Sequence, residues 1–278
     1  MANRDVFFVS SGTFSAPAFA VGRPGFSSTF LSNTVGVIVR SDDSIVLVDA
    51  GLSEATCANP GRSVGHLRAR FLGIRASAED CVAAQLERLG YRREAVTAIV
   101  ATHLHFDHVN GVRDFPNAEL IVSKEELDAF SWRRTDFGYD KRDLKLEQRI
   151  VPVELEDAPR DGFARSLDLF EDDSVHLLDT QGHTPGSVAV SMATIGAHFI
   201  HVGDAVYNVK ELNLRDATPI SRFIRWNTDK HRACTDVLRA AAKTTTLVPS
   251  HDADTFARLP KGPASSSAAP RAPASRAP

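Results

Sequence analysis

Three histidines and an aspartate fall within six residues, His103-Leu104-His105-Phe106-Asp107-His108. Neutral imidazole is the commonest protein ligand for zinc and similar ions, and carboxylate oxygens complete such sites. On an extended segment, side chains two apart point the same way, so His103 and His105 can face one metal. Asp107 and His108 follow in the turn to the next element, where a tight loop lets both reach a second metal close by. Gly111 then allows backbone geometry that other residues resist. Three further segments put a polar side chain where a strand is expected to stop: Gly182-His183-Thr184-Pro185-Gly186, Val202-Gly203-Asp204 and Pro249-Ser250-His251-Asp252. Singly, each reads as a cap or a turn. Together with the cluster they complete a ligand set for two metals.

The elements that must position these residues read as alternating strands and helices. Thr34–Arg40 and Ser44–Asp49 are β-branched, apolar runs separated by Ser41-Asp42-Asp43, the pattern of a hairpin. Ala78–Leu89 has helical spacing behind the cap residue Ser77 and stops before Gly90. Val96–Ala101 is a buried strand running straight into the histidine cluster. Leu120–Val122 is a short strand, and Ser123 begins a helix over Lys124–Phe130. In the second half, Val175–Asp179, Ser187–Met192, His198–Val202 and Thr246–Pro249 read as strands, and Asp229–Ala242 as a helix. Residues 131–170, rich in charge and aromatics without a period, read as an insertion. Polar clusters at strand ends are where α/β architectures carry their sites.

Composition bounds the possibilities. The 278 residues are 43% hydrophobic and 24% charged with a formal charge of −3, which gives no basic field for nucleic-acid binding. Cys57, Cys81 and Cys234 are scattered and odd in number, so neither a disulfide framework nor a thiolate zinc site is expected. The N-terminus is too briefly apolar for a signal segment, and no apolar run is long enough to span a membrane. A cytoplasmic location is expected. Pro260 to Pro278 has no large hydrophobic side chain to offset ordering entropy. The expected organisation is one domain over residues 1–259 and a disordered Pro/Ala/Ser-rich tail over 260–278.

The motifs His103-x-His105-x-Asp107-His108, Gly182-His183-Thr184-Pro185-Gly186, Gly203-Asp204 and Ser250-His251-Asp252 resemble, in order and separation, those of the metallo-β-lactamase superfamily. The resemblance covers roughly residues 30–255. It implies an α/β fold of four αββα layers, with metals at one edge between two sheets. It also implies that His103, His105 and His183 hold one divalent metal, that Asp107, His108 and His251 hold another, and that Asp204 bridges them. Zinc is the expected ion, and Fe, Co or Mn also suit such donors. Asp49 stands where the family has an aspartate supporting the ligands; it also reads as a plain strand-end turn residue. Many relatives carry a second histidine where this chain has Ser187. The β-lactamases proper do not use a bridging aspartate, which argues against antibiotic hydrolysis.

Tyr207, three residues after Asp204, resembles the tyrosine of the N-acyl homoserine lactone lactonases, the quorum-quenching branch of the superfamily. There the phenol donates to the substrate carbonyl as charge develops. The implied reaction is ring opening by a hydroxide held between the two metals, with Asp107 carrying the proton. The implied substrate is a small molecule with an apolar acyl chain, touching Tyr207 and Phe106, and the implied assembly is a homodimer. Phe14, Phe19, Phe26, Phe30, Trp132, Phe137 and Tyr139 offer further aromatic surface. Arg133-Arg134 and the stretch Arg222–Arg232 read as solvated basic faces. The alternatives are a broad hydrolase of other lactones, esters, thioesters (glyoxalase II-like) or phosphoesters, and a protein that holds metals without turnover. The short stretch after His251 weighs against the thioesterase, and an all-His/Asp set open to water weighs against a purely structural role.

Overall fold

A computed structural model of the chain describes residues 3–132, 138–142, 149–214 and 218–264. Among these residues, two sheets are formed. One runs β1 (Asn3–Pro17), β2 (Ser28–Arg40), β3 (Ile45–Val48), β4 (Val96–Val100), β5 (Glu119–Ser123) and β6 (Ile150–Val153) in spatial order. The second contains β7 (Ser166–Asp168), β8 (Val175–Asp179), β9 (Val188–Thr194), β10 (Ala197–Gly203) and β11 (Thr246–Pro249), in the order β11-β10-β9-β8-β7. The first three strands pair antiparallel and β3 to β6 parallel; in the second sheet only the β10–β11 pair is parallel. The helices are α1 (Glu54–Ala58), α2 (Pro60–Val64), α3 (His66–Phe71), α4 (Val82–Arg88), α5 (Phe106–Val109), α6 (Lys124–Trp132), α7 (Pro219–Ile224), α8 (Thr228–Ala241) and α9 (Ala253–Phe256).

Strand alternation explains the layering. Phe8, Ile38, Val46, Val48 and Val100 on one face of the first sheet meet Leu177, Val190, Met192 and Val248 of the second. The neighbouring residues Phe7, Val37, Val39, Leu47 and Ile99 point the other way, onto Cys57, Val64, Val82, Leu86 and Phe130 of α1, α2, α4 and α6. On the far side, Leu178, Ala189, Ile200 and Val202 pack on Cys234 and Leu238 of α8. Successive strand residues face opposite sides of a sheet, so each strand buries two apolar rows. The result is the expected four-layer αββα sandwich.

Three local expectations change. The apolar period over 78–89 is broken at Cys81, whose extended backbone (ψ 150°) separates a 3₁₀ turn at Ala78–Asp80 from α4. The Cys81 sulfur accepts from the Ala84 N–H and caps the second piece. The region 131–170 is not a pure insertion, because it supplies β6 and β7, one strand to each sheet; Arg133, Arg134 and Phe137 lie outside the described residues. Residues past 259 also pack on the first strand: the Pro260 carbonyl accepts from Phe8 N–H, and Ala264 N–H donates to Asp5. The rest of the expected tail, 265–278, lies outside the described residues. Cys57, Cys81 and Cys234 are buried free thiols. Among the described residues, no helix is long and apolar enough to cross a membrane.

Candidate metal centre

Four strand ends converge on one edge of the sandwich. β4 ends at Val100 and releases Ala101 to His105, after which α5 carries Asp107 and His108. β8 ends at Asp179 before the turn with His183, β10 ends at Gly203 before Asp204, and β11 ends at Pro249 before His251. His103, His105, His108, His183, Asp204 and His251 are buried, and Asp107 is partly so. Gly111 is needed here for closeness: a Cβ on it would lie 2.2 Å from the Ala50 carbonyl oxygen, where the turn after α5 meets the loop that follows β3.

The side chains form two clusters joined by one carboxylate. His183 Nε2 lies 3.2 Å from His103 Nε2 and 3.1 Å from His105 Nδ1. In the second cluster, Asp107 Oδ2 lies 3.9 Å from His108 Nε2 and 3.5 Å from His251 Nε2. Asp204 stands between: Oδ2 is 3.6 Å from His183 Nε2, and Oδ1 is 3.4 Å from both His108 Nε2 and His251 Nε2. These groups meet the spacing of metal ligands.

The outer nitrogens are held, which turns the inner ones to the centre. His108 Nδ1 faces Asp49 Oδ2 at 2.7 Å, and the same carboxylate accepts from the Thr102 N–H and hydroxyl. His251 Nδ1 donates to the Ser32 carbonyl at 2.8 Å, and His103 Nδ1 lies 3.1 Å from Thr102 Oγ1. Such outer bonds fix ring orientation in metal sites. Asp49 is therefore a support for His108 as well as a turn residue, and it holds a left-handed φ of 64°. Ser187 closes the His183 turn from within, donating to the Thr180 carbonyl at 3.0 Å.

The donor set fits divalent metals. Three imidazole nitrogens point at one another, and hydrogens alone cannot satisfy so many converging lone pairs. Among the described residues, the buried His108 Nε2 and Asp204 Oδ1 make no hydrogen bond. A cation placed between these atoms satisfies them all.

The electrostatics differ between the clusters. Burial holds His103 well below the usual imidazole range and lowers His183 to about 3, so both stay neutral, the form that ligates. Burial also opposes charge on His108 and His251. The facing Asp49, Asp204 and Asp107 carboxylates nevertheless hold His108 well above its ordinary value, and Asp204 and Asp107 raise His251 to about 10. Against burial, His108 and His251 bring Asp107 down to about 2 and hold Asp204 well below the carboxylate range. The carboxylates thus call for positive charge at the second cluster.

Tyr207 stacks on His251, ring centroids 5.0 Å apart. Burial first, then Asp204 and Asp107, push its phenol well above the ordinary range and keep it a donor. Phe106 is not an open wall: it is buried, with Phe14 edge-on at 6.3 Å and the Arg68 guanidinium 4.0 Å above its ring. Phe14 is buried and contacts His251, whereas Phe19, Phe26 and Phe30 are exposed. Arg222, Arg225, Arg232 and Arg239 line a separate cavity of about 380 Å³ with Glu211 and His231. Glu126 was not singled out by sequence; its carboxylate bonds to the chain between His103 and His105. The available signal was Ser123-x-x-Glu126, a helix-start pattern.

The family model of the metallo-beta-lactamase superfamily matches residues 29–251, and the chain belongs to that superfamily. It is 35% identical over 188 residues to a probable metallo-hydrolase of Mycobacterium tuberculosis, covering 66% of this chain and 60% of that relative's length. It is 28% identical over 189 residues to an N-acyl homoserine lactonase of Bacillus cereus, covering 67% of this chain and 68% of that protein. The solved structure of an N-acyl homoserine lactone hydrolase with N-hexanoyl-L-homoserine at its catalytic metal center superposes with a TM-score of 0.72 at 22% identity, over 91% of this chain and 95% of that one. That likeness is one of fold.

Proposed function

We propose that the chain is a dinuclear metal hydrolase that opens the lactone ring of N-acyl homoserine lactones. One observation carries the reading: Asp204 turns one oxygen to each cluster, and Tyr207, a protonated phenol, lies beside it on His251. His103, His105 and His183 would hold one ion and Asp107, His108 and His251 the other, with the Asp204 carboxylate facing both clusters; zinc would suit this set. When bound, such ions polarise the substrate oxygen and lower the pKa of water toward about 7.

The chain's own residues do the rest. The Tyr207 O–H donates to the carbonyl oxygen as negative charge develops there. Asp107, ionised at neutral pH, accepts the proton of the attacking water and passes it to the ring oxygen as that bond breaks. Burial keeps the imidazoles of His103 and His183 neutral, the form that offers a lone pair to a metal. The helix α3, whose Arg68 lies over Phe106, also exposes Leu67 and Phe71, apolar surface that an acyl chain could use.

The lactonase relatives and the superposed lactone hydrolase support the substrate class. A broader hydrolase of lactones, esters, thioesters or phosphoesters is the second reading, favoured by the higher identity to a relative described only as a probable metallo-hydrolase. Tyr207→Phe is expected to lower kcat for lactone opening by about 100- to 1,000-fold, the scale of a lost oxyanion donor. Asp204→Asn loses at least as much, together with bound metal. Wild-type rates in both variants, read by proton release, would overturn the mechanism.

A further inference from the structure

We propose that Glu126 is a positioning residue that locks the two loops carrying His103, His105 and His183 into one register. The inference rests on the reading that these histidines hold a metal. Glu126 is the third residue of α6 and is fully buried, 0% exposed. Its Oε1 accepts the N–H of Leu104 at 2.9 Å, the peptide between the two cluster histidines. Its Oε2 accepts the N–H of Gly186 at 3.1 Å, three residues after His183. Those loops leave different sheets, β4 in one and β8 in the other. A single carboxylate therefore joins what the fold brings from two sides.

The surrounding bonds tighten this junction. The Glu126 N–H donates to Ser123 Oγ at 3.1 Å, and that hydroxyl donates to the Gly186 carbonyl at 2.6 Å. The Gly186 N–H and carbonyl are thus both held, by Glu126 of α6 and by Ser123 at the end of β5. A Cβ on Gly186 would lie 2.0 Å from the Glu126 nitrogen, so only glycine lets the His183 loop come this close. On the other side, the Tyr139 hydroxyl donates to Glu126 Oε1 at 2.9 Å, and its ring lies 5.0 Å from that of His105. The Ser123-x-x-Glu126 pattern would ordinarily serve the helix start; here the carboxylate is turned to the ligand loops instead.

The charge is required by the donor count. Three donors converge on two oxygens, and a buried carboxylate tolerates its burial only when so satisfied. Glutamine would set an NH₂ against the N–H of either Leu104 or Gly186 and release one loop. Loss of such outer support typically costs 10- to 100-fold in metal affinity.

The test uses the full chain loaded with zinc. Metal content after dialysis, zinc affinity by chelator competition, and the unfolding midpoint of the metal-free protein are compared for wild type and Glu126→Gln. The expected result is two ions in the wild type and one of them bound about 10- to 100-fold more weakly in the variant, beyond any change in the metal-free midpoint. Unchanged affinity for both ions overturns the proposal, even if the metal-free midpoint falls. Should Glu126→Gln fail to fold, Ser123→Ala, which removes both the clamp on the Gly186 carbonyl and the acceptor of the Glu126 N–H, is expected to weaken the same ion about tenfold; wild-type affinity there also overturns it. A wild type that holds no metal contradicts the reading of the site instead, so the two failures are distinguishable.

Discussion

Asp49 shows how residue identity at a single position reaches the centre. Its carboxylate accepts from three buried donors, the Thr102 N–H and hydroxyl and His108 Nδ1. Removing a buried acceptor leaves its donors desolvated, at about 1–3 kcal/mol each. Asp49→Ala is therefore expected to weaken the ion at Asp107, His108 and His251 by about 10- to 100-fold. Zinc titration of the variant checks this, and full wild-type affinity would show that Asp49 only shapes its turn. At this scale the clustering of the His and Asp side chains was legible in sequence because each sits in a local pattern at a strand end, whereas the role proposed for Tyr207 rests on the resemblance. Glu126 was not legible, because its partners Leu104 and Gly186 are 22 and 60 residues away. A sequence pattern reports only its own few residues. Nor does any local pattern reveal that the Arg68 guanidinium lies over the Phe106 ring.

Among the elements, the stretch after Tyr207 carries a second buried carboxylate with a different outcome. Glu211 accepts from the Thr218 hydroxyl at 2.9 Å and the Ser221 hydroxyl at 2.8 Å, tying the turn Val209–Asn213 to the start of α7. Burial is the main cause that raises its pKa to about 7, against those hydrogen bonds. An acid raised above its unfolded value stabilises the fold fully at low pH and loses that contribution as pH rises through the folded value. Stability is therefore expected to decline between about pH 4.5 and pH 7, by no more than about 3 kcal/mol from this group. Glu211→Gln should flatten that part of the profile when unfolding midpoints are compared across pH; an identical slope in the variant would contradict the assignment.

The elements themselves were legible where their pattern was pure. β8 and β11 have the expected bounds, and the β2–β3 hairpin forms, since their apolar residues are buried without interruption. β1 was hidden, although it is the longest described strand. Ser10-Ser11-Gly12 ends the brief apolar run of the N-terminus, yet the pairing with β2 passes through it by a register shift between Ser10 and Thr13. The bulge keeps the strand continuous while Gly12 takes a φ of 72°.

On the scale of the whole molecule, the sandwich explains why the site needs both halves of the sequence. The β4 end brings His103 and His105, and the second sheet brings His183, Asp204 and His251 across the edge. The α/β class was legible because strands and helices alternate in each half and polar groups stand at strand ends, and the four-layer arrangement came with the family resemblance. Superfamily membership follows from the match over residues 29–251. The substrate does not follow from the fold, since one set of metal ligands serves several hydrolyses. The most direct measurement is therefore proton release by the zinc-loaded chain on N-acyl homoserine lactones of graded acyl length, beside a thioester and a phosphotriester. The proposed function predicts kcat/KM for a lactone at least about tenfold above both others, a difference of about 1.4 kcal/mol in transition-state binding. Faster turnover of the thioester or the phosphotriester would contradict it.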